Sequence, residues 1–283
     1  MADVLLVGID LGTSSVKVEV YGSDGKLMKS GSAPITRQDT GEWLEALRRA
    51  TPVDLLKSWS GDKIVSVDST SGSFVIVDRF GQPLHPPVMY YEKAVDEYEK
   101  IKGLPSVRKL AEKGISITPG SPHPKLLRIA GVNPGILEKA RWIVPPATWL
   151  LYRLMVPEGS EWRDVAVDYS NALKFGADIT LSTPRWFEPL YEELGLPLEK
   201  MPRIVECGDY AGDAESRLAE ELGLRGARLH HGMTDGNAAA LASGALKPGD
   251  MSIYTGSTTV PKFVAEEMRL NPAIYYHRHP VKG

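Results

Sequence analysis

Short blocks of apolar residues, alternating with polar ones or running together, predict strands at the start of the chain. Residues 4–20 form two such blocks, rich in β-branched side chains and joined by a polar turn at residues 10–15, which predicts a β-hairpin. Residues 24–26, Asp-Gly-Lys, predict a second turn before a strand at residues 27–36. The opening of the chain therefore predicts an antiparallel meander within a sheet.

The rest of the chain mixes strand and helix patterns, which Pro and Gly residues separate from one another. Residues 92–153 are mostly helical by pattern, and we expect them to form a helical cap on the sheet. Further helices are predicted at residues 42–49, 53–59, 186–194, 211–222 and 236–245, and further strands at 63–67, 74–77, 228–230, 251–254 and 259–264.

The composition of the chain excludes some classes of function. The 283 residues are 42% hydrophobic and 24% charged, as in a folded protein of one large or two ordinary domains. A net charge of −3 with mixed signs argues against a nucleic acid partner. No apolar run approaches the roughly 20 residues needed to cross a bilayer, and no basic signal segment precedes the first strand. With one cysteine, Cys207, an internal disulfide is excluded, so we expect a cytoplasmic protein without a membrane partner.

The first turn has the composition of a phosphate-binding loop. Gly12 allows close approach of a ligand to the backbone, and Thr13, Ser14 and Ser15 add hydroxyl groups to the backbone N–H groups. Asp10 beside a bound phosphate would be repulsive unless a cation, such as Mg²⁺ held through water, lay between them. An ordinary hairpin, in which these polar side chains satisfy the turn backbone, explains the spacing about as well.

The residues GIDLGTSSVK decide between these two interpretations, because they resemble the first phosphate loop of the FGGY family of carbohydrate kinases. The resemblance implies an α/β fold, an actin-like ATPase (ribonuclease H-like) domain with a mixed central sheet and a helical cap. It also implies ATP and Mg²⁺ as cofactors, with Asp10 on the metal side. The similarity runs from residue 4 to about 264, so we expect a sugar-binding domain at residues 1–245 and the beginning of a nucleotide-binding domain at 246–283.

Asp235 is the predicted catalytic base. It lies in GMTDGNAAALASGA, at a junction from strand to helix, where a helix N-terminus would help to keep a carboxylate anionic. The resemblance gives Asp235 the place of the family's aspartate base before an Ala-rich helix. Phosphoryl transfer chiefly needs the attacking hydroxyl to be aligned, so orientation would be the larger task of this residue. The alternative is a helix cap formed by Thr234 or Asp235.

A second Gly-Ser-Thr turn follows about twenty residues after Asp235. Gly256, Ser257 and Thr258 resemble the family's second phosphate loop, although such a turn is also common in ordinary hairpins. The Ala-rich helix before it has two interpretations as well, core packing or a helix at a hinge between two domains. The resemblance supports the hinge.

Polar groups from several loops are predicted to bind the sugar, because each sugar hydroxyl needs a partner once water is expelled. Taken singly, each loop could be a solvated surface loop. The segments VDSTSGS, YYEK and VDYSNALKFG resemble the ribulose and xylulose kinase branches of the FGGY family, nearer to the D-ribulose type. The predicted substrate residues are Asp68, Thr70, Ser71, Gly72, Tyr91, Glu92 and Asp168.

The leading hypothesis is an ATP-dependent kinase that phosphorylates a terminal hydroxyl of a ketopentose, D-ribulose or xylulose. The family continues for about as many residues again, so we expect the isolated chain to bind sugar weakly and to have little or no kinase activity. Residues 246–262 would then expose apolar surface and could form a homodimer. Two alternatives remain open: a non-catalytic sugar-binding or regulatory module, and an actin-like nucleotidase, which gives Asp235 and the sugar loops no role.

Overall fold

The centre of the fold is a sheet whose first strand alternates buried and exposed side chains. The computed structural model describes residues 4–255, 259–268, 270 and 274–281. Its first strand, Val4–Leu11, buries every odd-numbered side chain, from Leu5 to Leu11. Because side chains alternate across a strand, Gly8 and Asp10 lie on the opposite face. One face of the sheet therefore carries the hydrophobic core, and the other carries the candidate chemistry.

The described residues contain strands, α-helices and two 3-10 turns (Leu173–Phe175 and Leu198–Lys200). The strands are β1 (Val4–Leu11), β2 (Ser15–Gly22), β3 (Leu27–Pro34), β4 (Asp62–Ser69), β5 (Val75–Val77), β6 (Trp142–Val144), β7 (Ala166–Asp168), β8 (Ala177–Asp178), β9 (Arg185–Trp186), β10 (Arg203–Val205), β11 (Tyr210–Asp213), β12 (Arg228–Thr234), β13 (Met251–Thr255) and β14 (Thr259–Phe263). The α-helices are α1 (Thr40–Ala50), α2 (Val53–Ser58), α3 (Val95–Ile101), α4 (Pro105–Glu112), α5 (Pro122–Val132), α6 (Pro134–Lys139), α7 (Pro146–Met155), α8 (Tyr169–Ala172), α9 (Glu188–Leu194), α10 (Arg217–Glu221) and α11 (Asp235–Ala242).

The sheet has the strand order β11-β12-β4-β1-β2-β3 and is mixed. β1, β2 and β3 form the predicted antiparallel meander, whereas β4 runs parallel to β1, and β12 runs parallel to β4. Since these three parallel strands point the same way, their carboxyl ends meet at one edge of the sheet. Asp10 lies opposite Asp68 in this register, and Ser69 lies opposite Thr234. The register thus brings Asp10, Asp68 and Asp235 to one edge.

Two hydrophobic cores lie on either side of this edge. The first covers the odd-numbered face of β1 and packs α1, α2, α7 and α10 against the sheet, with Trp43 and Trp149 edge to face at its centre. The second lies inside the cap, among β5, β6, α3 to α6 and α9, and includes Phe74, Leu126 and Tyr191. None of the helices in the described part of the chain is long and apolar enough to cross a membrane.

Three sequence expectations need correction. The helix predicted at 211–222 is wrong over its first half, because β11 pairs with β12 there and the helix begins only at Arg217, where Ser216 Oγ caps the N–H of Ala219. Gly212, at a φ of 154°, shifts the register of β11 and lies against the Met155 side chain. Likewise, α9 starts at Glu188 rather than at 186. Finally, residues 92–153 are not all cap, because α7 packs on the central sheet.

Candidate active site

Three carboxylates converge at the carboxyl edge of the sheet. Asp10 and Asp68 are neighbours on parallel strands, and Asp235 follows β12 directly. Burial, followed by the negative charge of Asp10, raises the pKa of Asp68 to about 8, and the charge of Asp235 adds to the effect. Asp68 Oδ1 is buried without a partner among the described residues. At neutral pH Asp68 is therefore largely protonated.

A lysine completes this part of the edge. Lys17 lies opposite Asp10 in the hairpin register, and its Nζ is 3.6 Å from Asp10 Oδ2. Together with Asp68, these residues line a cavity of about 570 Å³ on the face of the sheet opposite the hydrophobic core of β1. The cavity offers a cation beside an acidic pair, which is a suitable environment for phosphate oxygens and a bridging metal ion. Sequence reasoning missed Lys17, although the hairpin pattern already placed it opposite Asp10.

The first predicted phosphate loop is a tight turn. Gly12 N donates to Ser15 O at 3.1 Å, and Gln38 Nε2 donates to Thr13 O at 2.6 Å. A side chain at position 12 would lie 3.2 Å from Ser15 O, so Gly is the residue that fits without displacement. Ile35 N donates to Ser14 O and ties the turn to the end of β3. The turn is therefore already formed in this chain.

Oxygen donors near Asp10 suit the Mg²⁺ expected from the sequence. Mg²⁺ keeps several waters and is held in phosphoryl-transfer sites by one or two carboxylates together with phosphate oxygens. Asp10 can supply one of those carboxylates, and Asp68 can supply a second once it has lost its proton. In the described part of the chain no three His, Cys, Asp or Glu side chains are close enough to hold a metal by themselves. These residues thus fit a metal shared with a phosphate better than a metal bound by the protein alone.

Asp235 occupies the predicted junction between β12 and α11. Its Oδ1 accepts a hydrogen bond from Gly236 N at 2.6 Å. Burial nevertheless raises the pKa of Asp235 and outweighs this bond, and the charge of Asp10 raises it further, whereas Lys262 and Lys174 oppose the shift. Burial therefore has a larger effect on the pKa of Asp235 than its position at the start of a helix. A raised pKa makes this carboxylate a stronger base.

The capping alternative for this junction holds for one of its two candidates. Asp235 accepts the first-turn N–H of Gly236, whereas Thr234, the N-cap residue of α11, makes no side-chain capping bond. Its hydroxyl instead pairs with Ser170 Oγ at 2.9 Å, and Asn237 Nδ2 donates to the same Ser170 oxygen at 2.8 Å. Ser170 and Asn237 were not predicted. They link the segment around residue 170 to the first turn of α11 and fix the place of Asp235.

The loop after β4 carries three predicted sugar residues. Thr70 Oγ1 donates to Ser73 Oγ at 2.9 Å, and Ser73 Oγ accepts from Tyr90 N at 3.0 Å. Ser71 Oγ is buried and has no partner among the described residues, so a sugar hydroxyl could satisfy it. Gly72 has a φ of +80°, which turns the chain back towards β5. The loop is preformed, with one unused polar group.

The second and third predicted sugar segments contribute differently. Tyr91 is about half exposed, whereas Glu92 accepts from Met89 N at 2.8 Å through Oε1 and pairs with Arg128 through Oε2. Asp168 is buried, and its two oxygens accept from the backbone N–H and the side chain of Asn171. Burial raises the pKa of Asp168 to about 6. In this structure Asp168 caps α8, so its predicted contact with sugar stays a prediction.

Two lysines that were not among the predicted site residues lie near Asp235. Lys262 Nζ donates to Asn237 Oδ1 at 2.6 Å and lies 3.2 Å from the position that a side chain on Gly236 would take. The stem of Lys174 packs beside Gly72, and burial lowers its pKa to about 8, with Lys262 lowering it further. The only sequence signal for them was their place beside the predicted loops.

The second predicted phosphate loop, Gly256, Ser257 and Thr258, lies outside the described residues. Its flanking strands β13 and β14 pair with each other in a two-stranded ladder. Their side chains are largely exposed, including Ile253 at 56% and Phe263 at 66%. Lys262, on β14, is the described residue that connects this hairpin to the Asp235 site.

Residues 274–281 contact both the cap and the end of α11. Tyr275 Oη donates to Ser116 O at 3.1 Å, and the Lys174 ammonium lies 3.8 Å from the centre of the Tyr275 ring. Arg278 donates to Ser182 O at 3.0 Å, and His279 donates to Ala245 O at 2.9 Å. This segment therefore joins the cap to the end of α11 over the residues that surround Asp235.

Comparison with known proteins gives a family match over most of the chain. The model of the N-terminal domain of the FGGY family of carbohydrate kinases matches residues 5–242. Xylulose kinase from Staphylococcus epidermidis is 26% identical over 242 residues, which are 79% of this chain and 45% of the relative. Autoinducer-2 kinase from Yersinia enterocolitica is 24% identical over 306 residues, covering 95% of this chain and 54% of the relative. The chain thus spans about half the length of these relatives.

Solved structures confirm the fold class. Xylulose kinase from Rhodospirillum rubrum superimposes with a TM-score of 0.86 at 20% identity, over 99% of this chain and 59% of that one. Gluconate kinase from Lactobacillus acidophilus gives a TM-score of 0.80 at 16% identity, over 96% of this chain and 56% of that one. The predicted α/β, actin-like ATPase fold with a mixed central sheet is therefore confirmed.

Proposed function

This chain belongs to the FGGY family of carbohydrate kinases, and from that premise we propose that it carries the sugar-binding half of an ATP-dependent kinase. The acceptor would be a terminal hydroxyl of a ketopentose of the D-ribulose or xylulose class. The observation that supports the proposal best is the convergence of Asp235 with Asp10 at one edge of the sheet, beside a preformed polar loop. A nucleotidase that acts on water would not need that loop.

Asp235 would orient the acceptor hydroxyl and take its proton. Phosphoryl transfer has a loose transition state, so the hydroxyl needs alignment before it loses its proton. The bond from Gly236 N to Asp235 Oδ1 fixes the carboxylate and leaves Oδ2 for the substrate. Since burial raises the pKa of Asp235, the proton passes to a stronger base than a solvated aspartate.

The phosphate groups of ATP would lie at the turn Gly12 to Ser15, with Lys17 beside them. Asp10 would hold Mg²⁺ through water, and when bound this ion supplies neutralisation of phosphate charge. Gly256, Ser257 and Thr258 would form the second side of the phosphate site. Ser71 and Thr70, with Gly72, Tyr91, Glu92 and Asp68, would form the sugar side. Asp168 would contribute to the sugar side indirectly, because it caps α8.

We further propose that residues 1–245 are the sugar-binding domain and that 246–283 begin the nucleotide-binding domain. The family match ends at residue 242, and the hairpin β13–β14 contributes nothing to either hydrophobic core. The exposed apolar side chains of this hairpin would favour a homodimer of the isolated chain. The single cysteine fits a cytoplasmic location.

Saturable sugar binding tests the proposal. We expect the purified chain to bind D-ribulose or D-xylulose in titration calorimetry, more tightly than glycerol or L-ribulose, and to phosphorylate them from ATP slowly or not at all. Failure to bind any of these sugars would remove the proposal for this chain. The alternative is a non-catalytic sugar-binding module, which the same preformed polar loop with its unpartnered Ser71 hydroxyl would also suit. This alternative would be favoured if the chain bound sugar but a chimera of the chain with a relative's nucleotide-binding half never transferred phosphate.

A further inference from the structure

A lysine is fully buried behind the predicted sugar loops. Lys125, on α5, is 0% exposed and packs near the Phe74 ring, 5.9 Å from the ring centre to Nζ. Its Nζ donates to Met89 O at 2.9 Å and to Gly72 O at 3.3 Å. Among the described residues no carboxylate lies within ion-pair distance of this ammonium. Both of its acceptors are thus neutral backbone carbonyls.

The two carbonyls belong to two different sugar loops. Gly72 follows Thr70 and Ser71, and Met89 precedes Tyr91 and Glu92. Ser73 already joins these loops through its bond from Tyr90 N, and Lys125 makes a second connection from below. The positive φ of Gly72 sets the direction of its carbonyl, and the ammonium holds that carbonyl in place. The two connections together fix the separation of the loops.

This arrangement is costly for a role in packing alone. A buried ammonium loses hydration, and that loss lowers the pKa of Lys125 to about 8. A buried apolar side chain of similar size would fill the same space without that cost. Lysine therefore offers what an apolar residue does not, two directional hydrogen bonds to two separate loops.

We propose that Lys125 is a positioning residue for the acceptor sugar, which holds the Gly72 and Met89 carbonyls so that Ser71 and Tyr91 face one substrate. The proposal rests on the proposed function, since it assigns the sugar loops a shared ligand. Lys125 itself lies behind the loops and does not touch the sugar. Its effect is on the affinity for sugar and on the rigidity of both loops.

The chain provides a matched control. Lys200 also donates to two backbone carbonyls, of Glu138 at 3.2 Å and Ala140 at 2.6 Å, but on a part of the cap without predicted sugar residues. We would compare the full chain with Lys125→Met and Lys200→Met by calorimetry with D-xylulose and D-ribulose, and by thermal unfolding. We expect Lys125→Met to weaken sugar binding by about tenfold or more. Lys200→Met should leave affinity unchanged, and thermal unfolding would confirm that both variants are folded at the temperature of the titration.

The pH profile separates positioning from a merely structural role. Charged groups around Lys125 are Glu92 and Arg128, and Lys174 packs beside Gly72. We would measure the profile in an Asp68→Asn background, because the pKa of Asp68 is also raised to about 8. As pH rises through about 8, Lys125 becomes a neutral amine, and its two hydrogen bonds weaken because they lose the positive charge. Sugar affinity should therefore fall in this background, and also when Lys174→Met is added, but not when Lys125→Met is added. A flat profile in the Asp68→Asn background, or equal losses of affinity in Lys125→Met and Lys200→Met, would overturn the proposal.

The test also holds if the chain binds none of these sugars, an outcome that counts against the proposed function alone. Hydrogen exchange then measures the connection between the loops directly. We expect Lys125→Met, but not Lys200→Met, to speed exchange in residues 70–73 and 89–92 together. Faster exchange in both loops supports the positioning role, and unchanged exchange in either loop contradicts it.

Discussion

The proposed sugar side and the proposed phosphate side of the site differ in how many of their polar groups are already held in place. On the sugar side the polar groups are joined to one another: Ser73 bridges Thr70 and Tyr90, and Lys125 bridges two loops from a fully buried position. On the phosphate side, Asp10 and Lys17 face an open cavity, and the hairpin β13–β14 is exposed on most of its surface. The sugar side is preorganised, whereas on the phosphate side the Asp10–Lys17 pair and the hairpin stay open to further contacts.

This difference teaches where specificity and chemistry would reside. A preorganised polar wall binds with little ordering cost and discriminates between hydroxyl patterns, because an unmatched buried group is penalised. On the open phosphate side, bound phosphate groups and a cation would balance the charges of the carboxylates and the lysine. In the proposed function the chain would therefore supply the acceptor side and the base, together with one part of the phosphate side.

The largest expected effect is on Asp235. In a chimera of residues 1–245 with the nucleotide-binding half of S. epidermidis xylulose kinase, Asp235→Asn should lower kcat by about 10²- to 10⁴-fold, because the amide cannot accept the hydroxyl proton. The affinity for sugar should stay within about threefold, because orientation of the sugar by the loops is retained. A coupled assay of ADP release would measure kcat. An unchanged kcat would show that Asp235 is not the base.

The next effect concerns Asp68, on the boundary between the two sides. Its pKa is raised to about 8, so between its ordinary value near 4 and about 8 the folded chain holds a proton that the unfolded chain has lost. The free energy of unfolding should therefore fall as pH rises from about 4 to about 8. Asp68→Asn should remove this part of the slope, as measured by urea denaturation at several pH values. Parallel slopes for both proteins would show that Asp68 ionises normally.

A smaller effect is expected at Gly72, on the preorganised side. Gly72→Ala forces alanine into a φ of +80°, at a cost of about 1 kcal/mol. The new methyl group would meet no atom closer than 3.9 Å. The control is Gly159→Ala, at the same φ of +80° and with no neighbour within 4 Å. Equal losses of stability, with weaker sugar binding in Gly72→Ala alone, would support the preorganised loop, and equal sugar binding in both would contradict it.

The smallest expected effect on stability lies on the exposed side. Ile253→Lys changes a side chain that is 56% exposed on β13, so the free energy of unfolding should change by less than about 0.5 kcal/mol. Self-association should nevertheless decrease, because the lysine breaks an exposed apolar surface. Sedimentation of the wild type and the variant over a range of concentrations would measure this. If both remain monomeric, the hairpin surface does not drive association.

How much of this could be predicted from the sequence depends on whether the signal was local. The hairpin at residues 4–20, its turn and the strand-to-helix junction at Asp235 follow from alternation and turn residues within a few positions, and the structure has them. The helix expected at 211–222 is wrong because Ala211 lies in a strand that pairs with β12, and this long-range pairing overrides local periodicity. The same reason explains why Ser170 and Asn237 were missed.

By itself, the sequence determined the order of the strands along the chain and the types of residue that could handle phosphate, sugar and a proton. Only the tertiary structure decided which of them meet. The parallel register of β1 and β4 places Asp10 beside Asp68 and shifts the pKa of Asp68, and burial makes Asp235 a stronger base than its place at a helix N-terminus suggested. Charge interactions and desolvation depend on distances between residues far apart in the chain, and these distances exist only once the sheet has formed.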